Sequence, residues 1–302
     1  MDQLESMSVF VAVVQAGSFS EASRKLRMPL PTVSRKVAEL EAHLNAKLLL
    51  RTTRKLALTE VGEPYVAACR RILEEVAEAE RGASGEYGAP RGDLVLTAPI
   101  VFGRLHVLPV TAEFLQAYPD VNVRLLLTDR QLDLIDEHLD LAVRIGDLPD
   151  SRLVAIRVGG VRRVVCGSPA YFAARGVPET PDDLAKHDCV TFAGLPGPET
   201  WAFGVGRTIR PVRTNSRLVV NTAEAAIDAA VAGVGLTRVL SYQVREWVKA
   251  RRLTIALSSF EPQPVPVSLV YTGEDLIPRK LRAFLEFATQ RLKARLRTTT
   301  RG

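Results

Sequence analysis

Apolar residues recur at helical spacing near the amino terminus of the chain. Four of them are three or four positions apart: Leu4, Met7, Val11 and Val14. This spacing predicts one apolar face of a helix that ends near Gly17. The next residues, Ser18 to Glu21, are typical of a capping box, in which the serine and the glutamate each satisfy a free amide. We therefore expect a second, short helix over residues 19–27.

A third apolar repeat follows a pair of prolines. Pro29 and Pro31 predict a turn, because the residue before a proline is disfavoured in helical geometry. From Thr32 onward four apolar residues repeat at helical spacing: Val33, Val37, Leu40 and Leu44. The opposite face is polar and predicted to be solvated: Thr32, Arg35, Lys36 and Glu39. Two short helices with a basic second face are typical of a helix-turn-helix that enters the major groove. An ordinary amphipathic helix with a solvated face is the alternative.

Two short apolar segments follow, and they predict a hairpin. Residues 47–51 and 55–59 flank a polar, basic tip at residues 52–54. Such a wing typically contacts the phosphate backbone beside the groove.

The distribution of charge agrees with a local nucleic-acid surface. The 302-residue chain has a net charge of +6, and residues 18–59 alone carry nine basic and three acidic residues. Residues 60–86 reverse the balance, with seven acidic and three basic residues. A positive segment next to a negative one favours phosphate binding by the first. The predicted DNA contacts are Ser18, Ser20, Pro31, Thr32, Ser34, Arg35, Lys36, Arg51, Thr53, Arg54 and Lys55.

An Ala- and Glu-rich stretch follows Thr59, which is a candidate helix cap, and predicts one helix to about Arg81. Five residues repeat at coiled-coil spacing and are the predicted dimerisation seam: Tyr65, Cys69, Ile72, Val76 and Ala79. Packing of this helix against its own head is the alternative. Pro64 predicts a kink or a late helix start, and the glycines within residues 82–92 predict a hinge.

From residue 93 the pattern changes to strands that alternate with helices. Strands are predicted at residues 94–97, 121–127 and 141–145, so this half is α/β with a mainly parallel sheet. The chain is expected to cross into a second lobe at residues 162–166. There we expect a helix over 222–232 and a strand near 235–237. A strand at 267–270 and a basic helix over 278–297 return to the first lobe, and residues 298–302 are expected to be a disordered tail.

Ligands of open α/β sheets bind beyond the carboxyl ends of the strands. The predicted effector-binding residues at those ends are Ala98, Pro99, Phe102, Asp129, Arg130, Ile145, Gly146, Asn221 and Thr222. Asn221 and Thr222 open a helix, whose free amides suit an anion. The alternative is that these residues pack or act as hinges. Arg144 and Arg238 are candidate partners of an acidic effector, with structural salt bridges as the alternative.

Motifs in both halves resemble the LysR family of transcriptional regulators. In the head they are residues 17–23, 33–37, 40–41, 51–52 and 58–62. In the second half they are residues 97–99, 102–104, 108–109, 114, 118–119, 140–146, 168–172 and 232–236. The chain departs from the family pattern at three places. Pro29-Leu30 replaces a common serine-glutamine pair, so Leu30 cannot hydrogen-bond a base, while Asn45 replaces a glycine and Leu49 a phenylalanine.

The resemblance implies a winged helix-turn-helix domain at residues 1–59, with a linker helix and hinge at 60–92. It further implies a two-lobed α/β effector domain at 93–302, similar to periplasmic binding proteins. Its first lobe would be about 93–164 with 266–297, and its second about 165–265. The implied partners are operator DNA, a small organic effector, RNA polymerase if the protein is an activator, and copies of itself in a homodimer or homotetramer.

Several function classes are disfavoured by the sequence. It has no apolar run of about twenty residues and no amino-terminal signal pattern, so we expect a cytoplasmic protein without membrane contact. Three scattered cysteines and four isolated histidines predict no disulfide, metal or other cofactor. Catalytic motifs are missing, which argues against an enzyme. A transport solute receptor would need an export signal and no basic head. A DNA-architectural protein whose second half only oligomerises remains an alternative.

Overall fold

A computed structural model describes residues 2–51, 56–83, 89–149, 152–192, 200–205, 208–273 and 277–300. The chain forms two compact units, Met1–Ala89 and Pro90–Gly302. Among the described residues, no helix is both long and apolar enough to cross a bilayer.

The first unit is a helical domain with one hairpin. Its elements are α1 (Gln3–Ala16), α2 (Phe19–Leu26), α3 (Leu30–His43), β1 (Leu49–Arg51), β2 (Leu56–Leu58) and α4 (Gly62–Ala83). The predicted end of α1 is confirmed: Gly17 adopts a left-handed conformation (φ 68°) and its N–H donates to the carbonyl of Val14. The predicted apolar face was too narrow, because α1 packs against α2, α3 and α4. Phe10 and Val13 are therefore buried, whereas Leu4 is exposed.

Local capping explains how the next helices begin. The Ser18 hydroxyl accepts a hydrogen bond from the Glu21 N–H at 3.1 Å, as predicted for the start of α2. Helix α3 begins at Leu30 and not at Thr32 as predicted. The reason is that Pro31 lies in the first turn, where its missing N–H has no intrahelical acceptor to lose.

The hairpin and the start of α4 are joined by Thr59. Strands β1 and β2 pair antiparallel with Leu49 opposite Leu58, which confirms the predicted hairpin. The Thr59 hydroxyl donates to the carbonyl of Lys47 at 2.7 Å and accepts from the Gly62 N–H at 2.9 Å. Pro64 is the third residue of α4, so the helix starts slightly late and accommodates the proline in its first turn.

The second unit contains two mixed sheets and a separate hairpin. Its strands are β3 (Gly92–Ala98), β4 (Val121–Leu127), β5 (Leu141–Ile145), β6 (Leu153–Val161), β7 (Arg163–Gly167), β8 (Asp188–Phe192), β9 (Thr200–Val205), β10 (Thr208–Arg213), β11 (Asn215–Val220), β12 (Leu236–Leu240), β13 (Thr254–Ala256) and β14 (Val265–Thr272). Its α-helices are α5 (Ile100–Phe102), α6 (Leu108–Ala117), α7 (Pro169–Arg175), α8 (Ala223–Val231), α9 (Ser241–Lys249) and α10 (Arg279–Thr300). A π-helical stretch at Gly103–Val107 joins α5 to α6.

Each lobe is built on one five-stranded sheet. The order is β4-β3-β5-β14-β6 in the first lobe and β11-β8-β12-β7-β13 in the second. Four of the five strands in each sheet run in one direction, which confirms the predicted mainly parallel sheet. The exceptions are β14, which is antiparallel to β5 and β6, and β7, which is antiparallel to β12 and β13. The physical reason is the path of the chain. Strands β7 and β14 each enter their sheet directly from the other lobe, so they start at the edge where the parallel strands end.

The carboxyl-terminal helix completes the first lobe. Helix α10 packs on β6 and α6, and its Phe284 and Leu292 are buried in the same core as Leu94 and Phe114. The expected return of the chain to the first lobe is therefore confirmed. The expectation of a disordered tail is wrong for residues 298–300, because α10 continues to Thr300.

Candidate nucleic-acid interface and ligand cleft

Helix α3 presents the side chain of Arg35 to solvent. Its Val33, Val37 and Leu40 are fully buried in the head core. Arg35 lies on the outer side, with 64% of its side chain exposed, and its guanidinium donates to Glu39 at 2.8 Å. An exposed i,i+4 pair of this kind contributes little to stability. Arg35 is therefore free to exchange Glu39 for a base edge or a phosphate.

Contrary to the prediction, Lys36 does not lie on a solvated face. Its ammonium donates to the carboxylate of Glu5 on α1, and only 14% of its side chain is exposed. The physical reason is that α1 covers this side of α3. Lys36 thus ties the two helices together, and we correct its assignment as a free DNA-contacting cation.

The remaining predicted head contacts have different environments. Ser18 caps α2 through its hydroxyl. Ser20 and Pro31 are exposed, whereas Thr32 and Ser34 are half-buried. These residues lie on α2 and α3, which contact each other. The predicted wing contacts cannot be placed: the side chain of Arg51 and residues Thr53, Arg54 and Lys55 lie outside the described residues.

Sequence reasoning missed the role of Glu41. This carboxylate is buried and accepts the backbone N–H groups of Leu48 and Leu49 at 2.9 and 3.2 Å, as well as the ammonium of Lys47 at 3.0 Å. Burial by itself would raise the pKa of Glu41, but these hydrogen bonds outweigh it and hold the pKa below its usual value. Glu41 thereby fixes β1 to the end of α3.

The predicted dimerisation seam is divided between two environments. Cys69 is fully buried in the head core, and Tyr65 and Ile72 pack against the same core. The prediction that Cys69 belongs to the dimerisation seam is therefore wrong, because a side chain enclosed by its own domain cannot contact a second chain. Val76 is half-buried and Ala79 is exposed.

Two of the predicted effector contacts belong to the core of the first lobe. Ala98 and Phe102 are 1% and 0% exposed. Phe102 packs edge-on against Tyr242 of α9, with ring centroids 5.4 Å apart. We correct both assignments, because neither side chain has surface left for a ligand. Phe102 instead holds the two lobes together.

His106 completes this aromatic contact between the lobes. Its ring lies 4.7 Å from Phe102 and 5.5 Å from Tyr242, centroid to centroid. Burial lowers the pKa of His106 to about 4, with a further contribution from Arg295 and Arg245. The imidazole is therefore neutral at physiological pH.

Three predicted residues lie together where β3 and β4 end. The Asp129 carboxylate accepts the Ile100 N–H at 3.1 Å, which ties it to the turn after Pro99. Arg130 is exposed next to Asp129, and the Thr128 N–H donates to the carbonyl of Ala98 at 3.0 Å. Pro99, Asp129 and Arg130 thus share one edge of the first sheet.

The other predicted cleft residues lie on β5 and in the second lobe. Ile145 pairs with Val267 of β14, and Gly146 follows with a φ of 133°, a conformation that favours glycine. In the second lobe Asn221 is exposed. The Thr222 hydroxyl accepts the Ala225 N–H at 3.2 Å and caps α8.

The two candidate arginines are not equivalent. Arg144 donates to the carbonyl of Leu132 and lines a cavity of about 550 Å³ with Asp133. Arg238 is buried and donates to the carbonyl of Ala202 at 2.8 Å. In the part of the chain that the structure describes, neither forms a salt bridge.

Family models match both units of the chain. Residues 4–63 match the bacterial regulatory helix-turn-helix protein of the lysR family. Residues 88–293 match the LysR substrate binding domain.

Individual proteins are similar over nearly the whole length. An HTH-type transcriptional regulator of Xanthomonas campestris is 36% identical, over 96% of this chain and 85% of its own. The HTH-type transcriptional activator AaeR of Escherichia coli is 32% identical, over 96% and 94%. The structure of CrgA, a LysR-type transcriptional regulator from Neisseria meningitidis, superposes with a TM-score of 0.61 at 31% identity, and the match covers 95% of this chain and 98% of CrgA.

Proposed function

Because the chain belongs to the LysR family of transcriptional regulators, we propose that it binds operator DNA through α3. We further propose that a small organic effector between the two lobes changes this binding or the activation of a promoter. The observation that carries the proposal is the position of Arg35, which is exposed on the outer face of a helix whose other face forms the head core. Its partner Glu39 lies on the same helix, so DNA can replace it without a change of fold.

Arg35→Ala tests the DNA-binding part of the proposal. An arginine that reads a base edge contributes about 1–3 kcal/mol to specific binding and much less to random sequence. We expect operator affinity to fall by that amount, measured by fluorescence anisotropy on an operator found by genome-wide footprinting.

The matched control is Arg210→Ala. Arg210 is an exposed arginine of the second unit that pairs with Asp182 at 2.6 Å, so its removal changes the net charge equally. It should leave operator affinity unchanged. Equal losses in both variants would mean that only net charge matters, and no loss in either would contradict the role of α3.

The effector part of the proposal rests on residues at the strand ends. Pro99, Asp129 and Arg130 share one edge of the first sheet, while Asn221 and Thr222 open α8 in the second lobe. Polar groups beside apolar surface are typical of small-molecule pockets. An effector acts by preferring one arrangement of the lobes, and the shift cannot exceed its differential affinity for the two states.

Asn221→Trp is the sharper test of this cleft. Thr222 caps α8, so a change there also destabilises the helix, whereas Asn221 is exposed and its replacement adds bulk alone. We expect the variant to bind its operator normally but to lose the effector response. A normal response would contradict this position of the cleft. An unaltered footprint of the wild-type protein across candidate effectors would favour a DNA-architectural role instead.

The partners follow from the same proposal. We propose a homodimer or homotetramer in which the exposed end of α4 pairs two subunits. RNA polymerase is a partner if the protein activates transcription.

A further inference from the structure

Two arginines share one face of the second lobe's sheet. In the register of β12 and β7, Arg238 lies opposite Val165, and Leu240 lies opposite Arg163. Opposite residues, and residues two apart along a strand, point to the same side of a sheet. Arg163 and Arg238 are therefore diagonal neighbours. Val165 is in one core cluster with Trp201, so both arginines face that core.

Arg238 is buried and Arg163 is half-buried, and each has a buried Nε atom. Arg238 is 6% exposed, and one of its terminal nitrogens donates to the carbonyl of Ala202 at 2.8 Å. Its central carbon lies 5.8 Å from the centroid of the Trp201 ring. The Nε atoms of Arg238 and Arg163 are both buried and have no hydrogen-bond partner in the part of the chain that the structure describes. Buried N–H donors are nearly always hydrogen-bonded in folded proteins. The two Nε–H groups are therefore expected to donate to an acceptor that a ligand supplies.

Among the described residues, neither Arg163 nor Arg238 forms an ion pair with a carboxylate. Burial and the charge of Arg163 lower the pKa of Arg238 to about 10, which leaves it protonated at neutral pH. The negative charge of Asp147 raises the pKa of Arg163 through a Coulombic interaction and not through a hydrogen bond. Glu261 is already bonded to Arg162 at 3.3 Å. The contact of Arg238 with Trp201 is weaker than the cost of burying an unpaired charge.

We infer that Arg163 and Arg238 form an anion site against Trp201, and that its ligand is a carboxylate or phosphate group. Guanidinium groups bind both groups through two parallel N–H donors, and the unbonded Nε atoms supply such donors. The group can belong to a free inorganic anion or to the acid moiety of the effector. In the second case the inference rests on the proposed function, and it adds Arg163 and Trp201 to Arg238, which the sequence already suggested as a partner of an acidic effector.

Trp201 provides a direct reporter for this site. The chain contains two tryptophans, so Trp247→Phe leaves Trp201 as the sole one. The full-length variant is titrated with sodium phosphate and, separately, with sodium acetate, at an ionic strength held constant with sodium fluoride. We expect a saturable change of Trp201 fluorescence with at least one of the two anions. Phosphate alone indicates an inorganic anion or a phosphorylated ligand, whereas acetate indicates an organic acid.

The arginines are then replaced in the same background. Arg238→Met should raise the apparent Kd by about tenfold or more, as expected for the loss of a charged hydrogen bond. Arg163→Met should weaken binding as well. The matched control is Arg252→Met. In the wild type the guanidinium carbon of Arg252 lies 5.7 Å from the ring centroid of Trp247, a distance similar to that between Arg238 and Trp201, but Arg252 is exposed. It should leave the titration unchanged.

The inference is overturned if neither anion gives a saturable response, or if Arg238→Met and Arg163→Met bind as the parent does. Should Arg238→Met fail to fold, the parent titration and Arg163→Met still decide. No DNA is present in this assay. Its outcome is therefore independent of operator binding, and failure of one proposal can be told from failure of the other.

Discussion

At the scale of single residues, Glu41 shows that an acidic side chain can support a basic surface. Counted from the sequence, it only subtracts from the charge of residues 18–59. In the structure it is bonded to two backbone amides and to Lys47, which places β1 relative to α3. The pattern could not reveal this, because the bonds join residues six to eight positions apart across a turn.

Glu41→Ala should lower the free energy of unfolding of the head by about 2–4 kcal/mol, because it leaves the amides of Leu48 and Leu49 buried without an acceptor. Urea denaturation followed by circular dichroism measures the loss. The control is Glu39→Ala, which removes an exposed carboxylate from the same helix and should change stability by less than about 0.5 kcal/mol. Similar losses in the two variants would show that the buried bonds contribute nothing special.

His106 predicts a dependence of stability on pH. Its pKa is about 4 in the folded protein and near 6.5 when unfolded, so the unfolded chain binds a proton more readily. Stability is then fully present above pH 6.5 and is lost as the pH falls toward 4. Glu41, with a lowered pKa, loses its contribution only below its usual value of 4.5.

The measurement compares melting temperatures at pH 7 and pH 5. His106→Leu removes the titrating group, so its melting temperature should fall less than that of the wild type over this interval. The Glu41→Ala variant should show the wild-type fall, since Glu41 does not titrate there. Parallel falls in wild type and His106→Leu would exclude His106 as the cause.

At the scale of elements, helix α4 serves two purposes along its length. Its first half packs on the head through Tyr65, Cys69 and Ile72, whereas Val76 and Ala79 lie farther along the helix. The heptad pattern alone could not separate these parts. A helix that packs against its own domain and a helix that pairs with a second copy need the same apolar spacing.

An introduced charge at Ile72 or at Val76 distinguishes the two parts of α4. Val76→Asp should dissociate the oligomer while the head keeps its melting temperature, because an unpaired charge is costly in a seam. Ile72→Asp should lower the melting temperature of the head as well. Sedimentation velocity and thermal melts give the two readouts. A Val76→Asp protein with the native sedimentation coefficient would place the interface elsewhere.

At the scale of the whole molecule, most of the architecture could be predicted and the site geometry could not. Strands 121–127 and 141–145 match their predicted bounds, because alternating or continuous apolar runs define them locally. The direction of β14 depends on where the chain comes from, which a local pattern does not contain. Phe102 and Lys36 failed as predicted contacts for the same reason, since each is covered by a residue distant in sequence: Tyr242 and Glu5.

The order of the strands also bears on how the protein is made. Strand β14 lies between β5 and β6, yet it follows them by the whole second lobe, from β7 to β13. At about 5–20 residues per second, a ribosome adds the residues from 161 to 265 in roughly 5–20 seconds. During that interval the head is complete and the second lobe is being added, while β6 has no neighbouring strand and the core of the first lobe lacks α10. A nascent chain therefore exposes an unpaired strand edge until synthesis is almost complete, and a premature stop codon anywhere before residue 265 yields a chain whose first lobe cannot close.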